Sequence, residues 1–421
     1  MIKSMVAKHA IWPKEEDIIF SLSERAQRAE NLYNKEDVIN ATIGVLVDDN
    51  GKLVAFNSVY DEYKSLDNTL IAPYAQIAGQ KNYIESVKKA CFKNHMPEGY
   101  IKVVASPGGT GSIKMAVFNY TNEQESILTP DWYWGPYKVI SEEINRKIVN
   151  YDFFDENGNF NFKSFKNQLI NLSEEQERIF TIFNTPAHNP TGYTISNKEW
   201  NDILNLCKEI SNKKKIILFI DIAYIDFSGG EGNDTREFFE KFSNLPENIL
   251  VIVGYSMSKG YTAYGMRSGA CICISSNKEI ADEFYYSCSH SARANWSNCN
   301  RGAMELLSTI VNDEKKLKAY ELERDSYKEL LKERAKAFVE EANNINLNIL
   351  PYRDGFFISI PCENPIEVCE KAIESNLFMI PLKMGIRFAV CAVNKEKCKK
   401  APKIIKEAIE FVNIQDKINL K

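Results

Sequence analysis

Six short apolar runs punctuate the middle of the chain: IKVVAS (101–106), SILT (126–129), RIFTIFN (178–184), KIILFID (215–221), ILVIVGYS (249–256) and ACICIS (270–275). Each is a nearly continuous stretch of β-branched and aromatic residues, the pattern of strands covered on both faces. Between two of them, Ser196-Asn-Lys-Glu199 has the spacing of a capping box. Trp200, Ile203, Leu204, Cys207 and Ile210 follow at helical spacing and form one apolar stripe. Strands alternating with such helices predict βαβ units and an α/β fold built on a mostly parallel sheet.

The chain has 421 residues, and at about 150 residues per domain that length favours two or three domains. From about 311 to 345 the sequence is charged and helical, with Leu317, Tyr320, Tyr327, Leu331 and Phe338 along one side. A helix of that length commonly joins two lobes. The segment beyond it returns to short strands and helices and predicts a smaller α+β domain, against which residues 1–40 are expected to pack. Lysine and arginine number 52 against 57 acidic residues, a formal net charge of −5. Nucleic-acid and anionic-membrane partners select a basic face and are not expected. No apolar run approaches the roughly 18 residues of a membrane span. The opening MIKSMVAKHAIWPKEED has no apolar signal core. The ten cysteines form no C-x-x-C pair, and there are four histidines. No metal site is expected, and a reducing cytoplasm is the expected compartment.

In open α/β sheets, ligands collect at the carboxyl ends of the strands. IKVVAS leads into Pro107-Gly108-Gly109-Thr110-Gly111-Ser112 and then a helical stretch. Glycines admit close approach of an anion, and a helix start supplies free N–H groups. The segment reads as a phosphate cradle or as a tight strand–helix turn; it matches neither the dinucleotide fingerprint nor the P-loop. KIILFID closes on Asp221, with Ala223 and Tyr224 following. A carboxylate ending a buried strand is costly unless something cationic needs it, although an Asp capping the next helix is the commoner case. ILVIVGYS runs into Ser256-Met-Ser258-Lys259, a lysine directly after a buried strand, where it can serve as a nucleophilic amine. Arg267, eight residues on, is a fixed cation suited to phosphate. Lys259 and Arg267, each taken alone, also fit a solvated loop. Together they form the inventory that pyridoxal phosphate requires.

These motifs resemble those of the fold-type-I pyridoxal-phosphate aminotransferases, in their aspartate/aromatic branch, over about residues 38–395. GGTG (108–111) is similar to the family's phosphate loop and AHNPTG (187–192) to its Asn-Pro-Thr-Gly motif; D-x-A-Y (221–224) and S-x-S-K (256–259) match, with Arg267 at the family's interval. The resemblance implies a mixed, mostly parallel seven-stranded sheet with helices on both faces and a smaller α+β domain. It implies an N-terminal segment (1–55) packing with the small domain, a large cofactor-binding domain (56–310), and an interdomain helix with the small domain (311–421). Lys259 becomes the Schiff-base lysine and general base. Asp221 holds the pyridine nitrogen protonated, and Asn189 and Tyr224 bond the ring oxygen. Gly108, Gly109, Thr110, Ser256 and Arg267 hold the phosphate, and Ser258 belongs to the cofactor-binding set. Tyr74, in Y-A-Q-I-A-G, matches a tyrosine that reaches the neighbouring subunit's phosphate, which implies a homodimer with shared sites.

The same resemblance assigns Arg387, in G-I-R-F-A-V, to the substrate α-carboxylate, where bidentate geometry favours arginine, and Gly44 to a nearby backbone contact. Arg293, 34 residues beyond Lys259, matches the arginine that binds a distal carboxylate from the other subunit. The aromatic that stacks on the cofactor lies in P-D-W-Y-W-G-P-Y: Trp134 keeps the spacing into the next helix and places Tyr137 where the family has His or Tyr, while Trp132 is the alternative. Cys299-Asn300 stands where this branch usually has two prolines. The implied activity moves an amino group between an L-amino acid, aspartate first, and a 2-oxo acid such as 2-oxoglutarate, by a ping-pong cycle. An aromatic amino donor, or a lyase or decarboxylase on the same scaffold, is the alternative.

Overall fold

The structure, a computed structural model, describes residues 4–14, 18–33, 35–229 and 235–419. Parts of the N-terminal segment 1–55, namely residues 1–3, 15–17 and 34, therefore lie outside the described residues. Seven strands form the main sheet: β1 (Tyr100–Ser106), β2 (Ser126–Pro130), β3 (Lys147–Tyr151), β4 (Arg178–Asn184), β5 (Lys215–Asp221), β6 (Ile249–Ser256) and β7 (Gly269–Ser275). Their order is β1-β7-β6-β5-β4-β2-β3. All neighbours are parallel except that β7 runs antiparallel to both β1 and β6. All six apolar runs are strands. The seventh, β3, was not among them, because KIVNY is an edge strand buried fully only at Tyr151.

Alternate residues of the central strands enter two different cores. Leu218, Val251 and Val253 join one cluster, and Phe219, Leu250 and Ile252 the other. Burying each such side chain contributes about 1.5–3 kcal/mol, so the sheet must be covered on both faces. Helix α1 (Ile18–Leu32) packs beside Ile39–Asn40 and Leu377–Phe378, away from this sheet. The covering helices include α2 (Gly108–Tyr120), α3 (Pro136–Glu143), α4 (Phe162–Glu175), α5 (Asn197–Ser211) and α6 (Lys278–Asn295), while α7 (Arg301–Val311) packs on other helices. The capping box at α5 is complete: Ser196 accepts from the Glu199 amide and the Glu199 carboxylate accepts from the Ser196 amide.

The 31-residue helix α8 (Glu314–Asn344) follows, burying Tyr320, Leu331 and Phe338 from the expected stripe. A second, antiparallel sheet of β8 (Phe357–Pro361), β9 (Ile380–Leu382) and β10 (Gly385–Ala389) has the order β9-β10-β8. It is accompanied by α9 (Pro365–Ile373) and α10 (Lys395–Asn419). Ile39 and Asn40 pair in parallel with Leu377 and Phe378, which ties the N-terminal segment to this part of the chain. Arg334, fully buried on α8, donates to the carbonyls of Val47 and Cys391 and to Asp49. The two sheets are stitched together where the Gly192 carbonyl accepts from the amides of Arg353 and Asp354, and where Ser359 donates to the Pro190 carbonyl. Among the described residues, no helix is long and apolar enough to cross a membrane.

Candidate active site

Strand register gathers the chemistry at one edge of the sheet. Ser106, Gly269 and Ser256 form one row across β1, β7 and β6, while Asn184, Asp221 and Gly254 form another across β4, β5 and β6. The loops leaving these rows line a cleft of about 380 Å³. Its walls include Gly109, Thr110, Trp134, Asn189, Asp221, Tyr224, Ser256, Ser258, Lys259 and Arg267.

Lys259 stands in a single helical turn, Met257–Gly260, whose start is capped by the Ser256 hydroxyl. The turn is held from behind. Tyr320 of α8 donates to the Gly260 carbonyl (2.9 Å), and its ring stacks on Tyr261 with centroids 4.4 Å apart. Asp226, paired with Arg236 at 2.6 Å, presses against Gly260 so closely that a side chain there has no room. Lys259 Nζ donates to the Gly44 carbonyl (2.6 Å) and lies 4.9 Å from the centre of the Tyr264 ring. Burial disfavours its charged form and lowers the amine pKa to about 8, with Arg387 and Arg267 pushing the same way against the opposing pull of Cys391.

Asp221 is buried, and burial raises its pKa. Two donors work against that rise: the Tyr137 hydroxyl to Oδ2 (2.6 Å) and the Ala223 amide to Oδ1 (3.1 Å). Asn184 Oδ1 accepts from the Asn189 amide (2.6 Å), and the Asn189 side chain donates to the Tyr224 hydroxyl (3.3 Å). Burial holds the Tyr224 hydroxyl protonated, well above its ordinary pKa.

Opposite lies the start of α2, where Pro107 offers no side-chain cap, so the first N–H groups remain available to a ligand. Gly108 has φ +70°, and a Cβ on it would stand 2.7 Å from an Arg267 guanidinium nitrogen. Arg267 itself adopts a left-handed backbone (φ 50°, ψ 53°) and donates to the Ser258 hydroxyl (3.2 Å). Beyond the cleft, the buried Arg387 donates to the Thr42 carbonyl (2.9 Å), approaches Asn189 Oδ1 (3.5 Å) and lies 4.4 Å over the Phe357 ring. A Cβ on Gly44 would meet that same ring at 2.5 Å.

Three residues singled out in the sequence are elsewhere. Trp132 is buried beside Gly385 in the main core, whereas Trp134 lines the cleft and packs edge-on against Tyr137. Tyr74 is 89% exposed. Arg293, near the end of α6, is exposed and donates to Ser297. Sequence reasoning missed Asn184, Tyr264, Ile113 and Phe20 as wall residues. Asn184 was legible, since it ends an apolar strand just as Asp221 does. Tyr264 and Phe20 arrive by tertiary packing and leave no local signal. Among the described residues no group of His, Cys, Asp or Glu is placed to hold a metal ion, and all ten cysteines are free thiols.

The donors fit pyridoxal phosphate: an uncapped helix start with Arg267 for the phosphate, a desolvated carboxylate for the ring nitrogen, and an amine of lowered pKa between them. Fold and site together define the fold-type-I pyridoxal-phosphate class. The model of the aminotransferase class I and II family matches residues 36–405, and the chain belongs to that family. It is similar to the aspartate aminotransferase of Salmonella typhi, 24% identical over 76% of this chain and 81% of the relative. The tyrosine aminotransferase of Klebsiella pneumoniae is likewise 24% identical, over 70% and 73%. An aminotransferase from Anaerococcus prevotii superposes with a TM-score of 0.94 at 40% identity, covering 97% of this chain and all of the other. The aromatic-amino-acid aminotransferase of Burkholderia pseudomallei, covalently bound to pyridoxal phosphate, shares the fold at a TM-score of 0.79, with 19% identity over 96% of this chain and 100% of the other.

Proposed function

We propose that this aminotransferase binds pyridoxal phosphate in the cleft around Lys259 and passes the amino group of an L-amino acid, aspartate first, to a 2-oxo acid such as 2-oxoglutarate. One observation carries the reading: a lysine amine with its pKa lowered to about 8 shares a single cleft with a buried carboxylate and a phosphate-type cradle. The α2 start with Gly108, Gly109 and Thr110, the Ser256 and Ser258 hydroxyls and Arg267 hold the phosphate. Asp221 keeps a proton on the ring nitrogen, Trp134 covers the ring, and Asn189 and Tyr224 bond its oxygen. The bound cofactor supplies a carbonyl carbon for the amino group and an electron sink for the substrate's Cα–H bond. Lys259 Nζ takes that proton from the α-carbon, which suits an amine whose pKa lies near working pH. Arg387 pairs the α-carboxylate and orients the α-carbon toward the lysine.

Tyr74 and Arg293 are exposed and outside their own chain's cleft, as residues lent to a neighbour must be. The proposal includes a homodimer in which they complete the partner's site, Arg293 receiving the distal carboxylate of a dicarboxylic substrate. It also includes the division into 1–55, 56–310 and 311–421, and a cytoplasmic setting. An aromatic donor is the second reading, favoured by the Trp134, Tyr264 and Phe20 walls. The test is the visible spectrum of purified holoenzyme before and after L-aspartate without any oxo acid. Conversion of the bound cofactor to its amino form supports the first reading. An unchanged spectrum that responds to phenylalanine supports the second, and release of pyruvate or CO₂ moves the chain to a lyase or decarboxylase.

A further inference from the structure

The phosphate arginine sits in a conformation that its own residue type does not favour. A left-handed backbone at a non-glycine position persists only when its surroundings over-determine it. Arg267 has φ 50° and ψ 53°, and the peptide plane preceding it carries the Met266 carbonyl. Rotation of that plane about the Arg267 N–Cα bond is φ itself, so whatever holds the Met266 oxygen restrains φ. The Asn300 side chain does so, donating Nδ2 to the Met266 carbonyl at 3.0 Å. Its Oδ1 meanwhile accepts from the Ala303 amide at 3.1 Å and caps α7. One side chain thus anchors the turn of Arg267 to the start of a helix. The next residue, Arg301, grips the carbonyls of Leu70 (2.6 Å) and Tyr74 (3.2 Å). The turn at 300–301 therefore touches both the own-chain arginine and the tyrosine lent to the neighbour. Asn300 also lies in the segment where the family pattern of two prolines is broken, and a proline has no side-chain donor for this bond.

We infer that Asn300 is a positioning residue for the phosphate grip: it holds Arg267 in the left-handed conformation that turns the guanidinium toward Gly108 and Ser258. The inference rests on the proposed phosphate site. Its two hydrogen bonds can be separated, because serine retains a helix cap but cannot reach the Met266 oxygen.

The experiment measures dissociation constants of cofactor-free protein for pyridoxal phosphate and for inorganic phosphate, together with melting temperatures, for wild type, Asn300→Ser, Asn300→Ala and Arg267→Ala. Positioning predicts that Asn300→Ser and Asn300→Ala weaken both ligands about five-fold, close to 1 kcal/mol at 1.4 kcal/mol per decade, with the melting temperature lowered more in the alanine variant. If Asn300→Ser binds both ligands as wild type does while Arg267→Ala loses them, Asn300 is only a helix cap and the inference is overturned. If Arg267→Ala also binds as wild type does, the phosphate site itself is misassigned, and the inference falls with it.

Discussion

Tyr137 donates its hydroxyl proton to Asp221 Oδ2 across 2.6 Å, while the Ala223 amide holds the other carboxylate oxygen at 3.1 Å. Both donors favour the charged form of a carboxylate whose pKa burial nevertheless raises. Tyr137 comes from the first turn of α3 and Asp221 from the end of β5, so the contact exists only because the fold brings two distant segments together.

Removing that donor should cost charge rather than shape. A hydrogen bond to a buried charged group is worth about 1.5–3 kcal/mol, so Tyr137→Phe should lower kcat/KM by about ten- to a hundred-fold. The loss should be equal for aspartate and phenylalanine, because in the proposed site Asp221 faces the ring nitrogen and not the donor side chain. Steady-state kinetics with both donors checks this. A loss confined to one donor would place Tyr137 in substrate recognition.

The lysine titration has a definite sign. Its folded pKa of about 8 lies below the ordinary 10.5, so between those values the unfolded chain binds a proton that the folded chain has released. Stability contributed by this group therefore rises with pH from about 8 to 10.5, and the cost is full below 8. In cofactor-free protein, modification of the Lys259 peptide by an amine reagent should accelerate with a midpoint near pH 8, read by mass spectrometry. A midpoint at the ordinary lysine value would mean that the amine is solvated.

Much of this was legible in the residue order. The apolar runs located six strands because burial leaves a strand few polar side chains, and the strand-end rule then picked out Asp221, Lys259 and the Gly108 loop. Apart from Asn184, what escaped depends on tertiary contact or partial exposure. Strand β3 is half-exposed and its composition is mixed. The choice between Trp132 and Trp134 turned on which indole faces the cleft, and two residues of spacing on an irregular segment do not fix that. Tyr320 supports the lysine turn from a helix 60 residues away, so no local pattern announces it.

Among the described residues, Arg293 bonds Ser297 at 2.6 Å, within the same turn of chain. An exposed arginine of that kind contributes little to stability. Arg293→Ala should leave the melting temperature within about 1 °C, since surface substitutions usually cost under about 0.5 kcal/mol. It should nevertheless depress aspartate turnover by roughly a hundred-fold, as expected when a carboxylate loses its charged partner, while phenylalanine turnover falls far less. Equal losses for the two donors would remove Arg293 from the distal pocket.

His188 gives the last expectation. It is buried in the Asn-Pro-Thr-Gly segment, with Nδ1 2.9 Å from the Thr191 hydroxyl and its ring 4.7 Å from Phe153. Burial without a counter-charge depresses its pKa from 6.5 to about 3. Between those values the unfolded chain takes up a proton that the folded chain refuses, so folding loses stability as pH falls. The loss approaches about 1.4 kcal/mol per pH unit for this one group. His188→Asn keeps a polar group beside Thr191 and removes the titration. Urea unfolding at pH 7 should find the variant less stable than wild type, because the ring leaves a cavity against Phe153. The gap should narrow by up to about 3 kcal/mol on moving to pH 4. Differences that stay constant across that range would mean that His188 is protonated in the folded state and that a counter-charge or water reaches its ring.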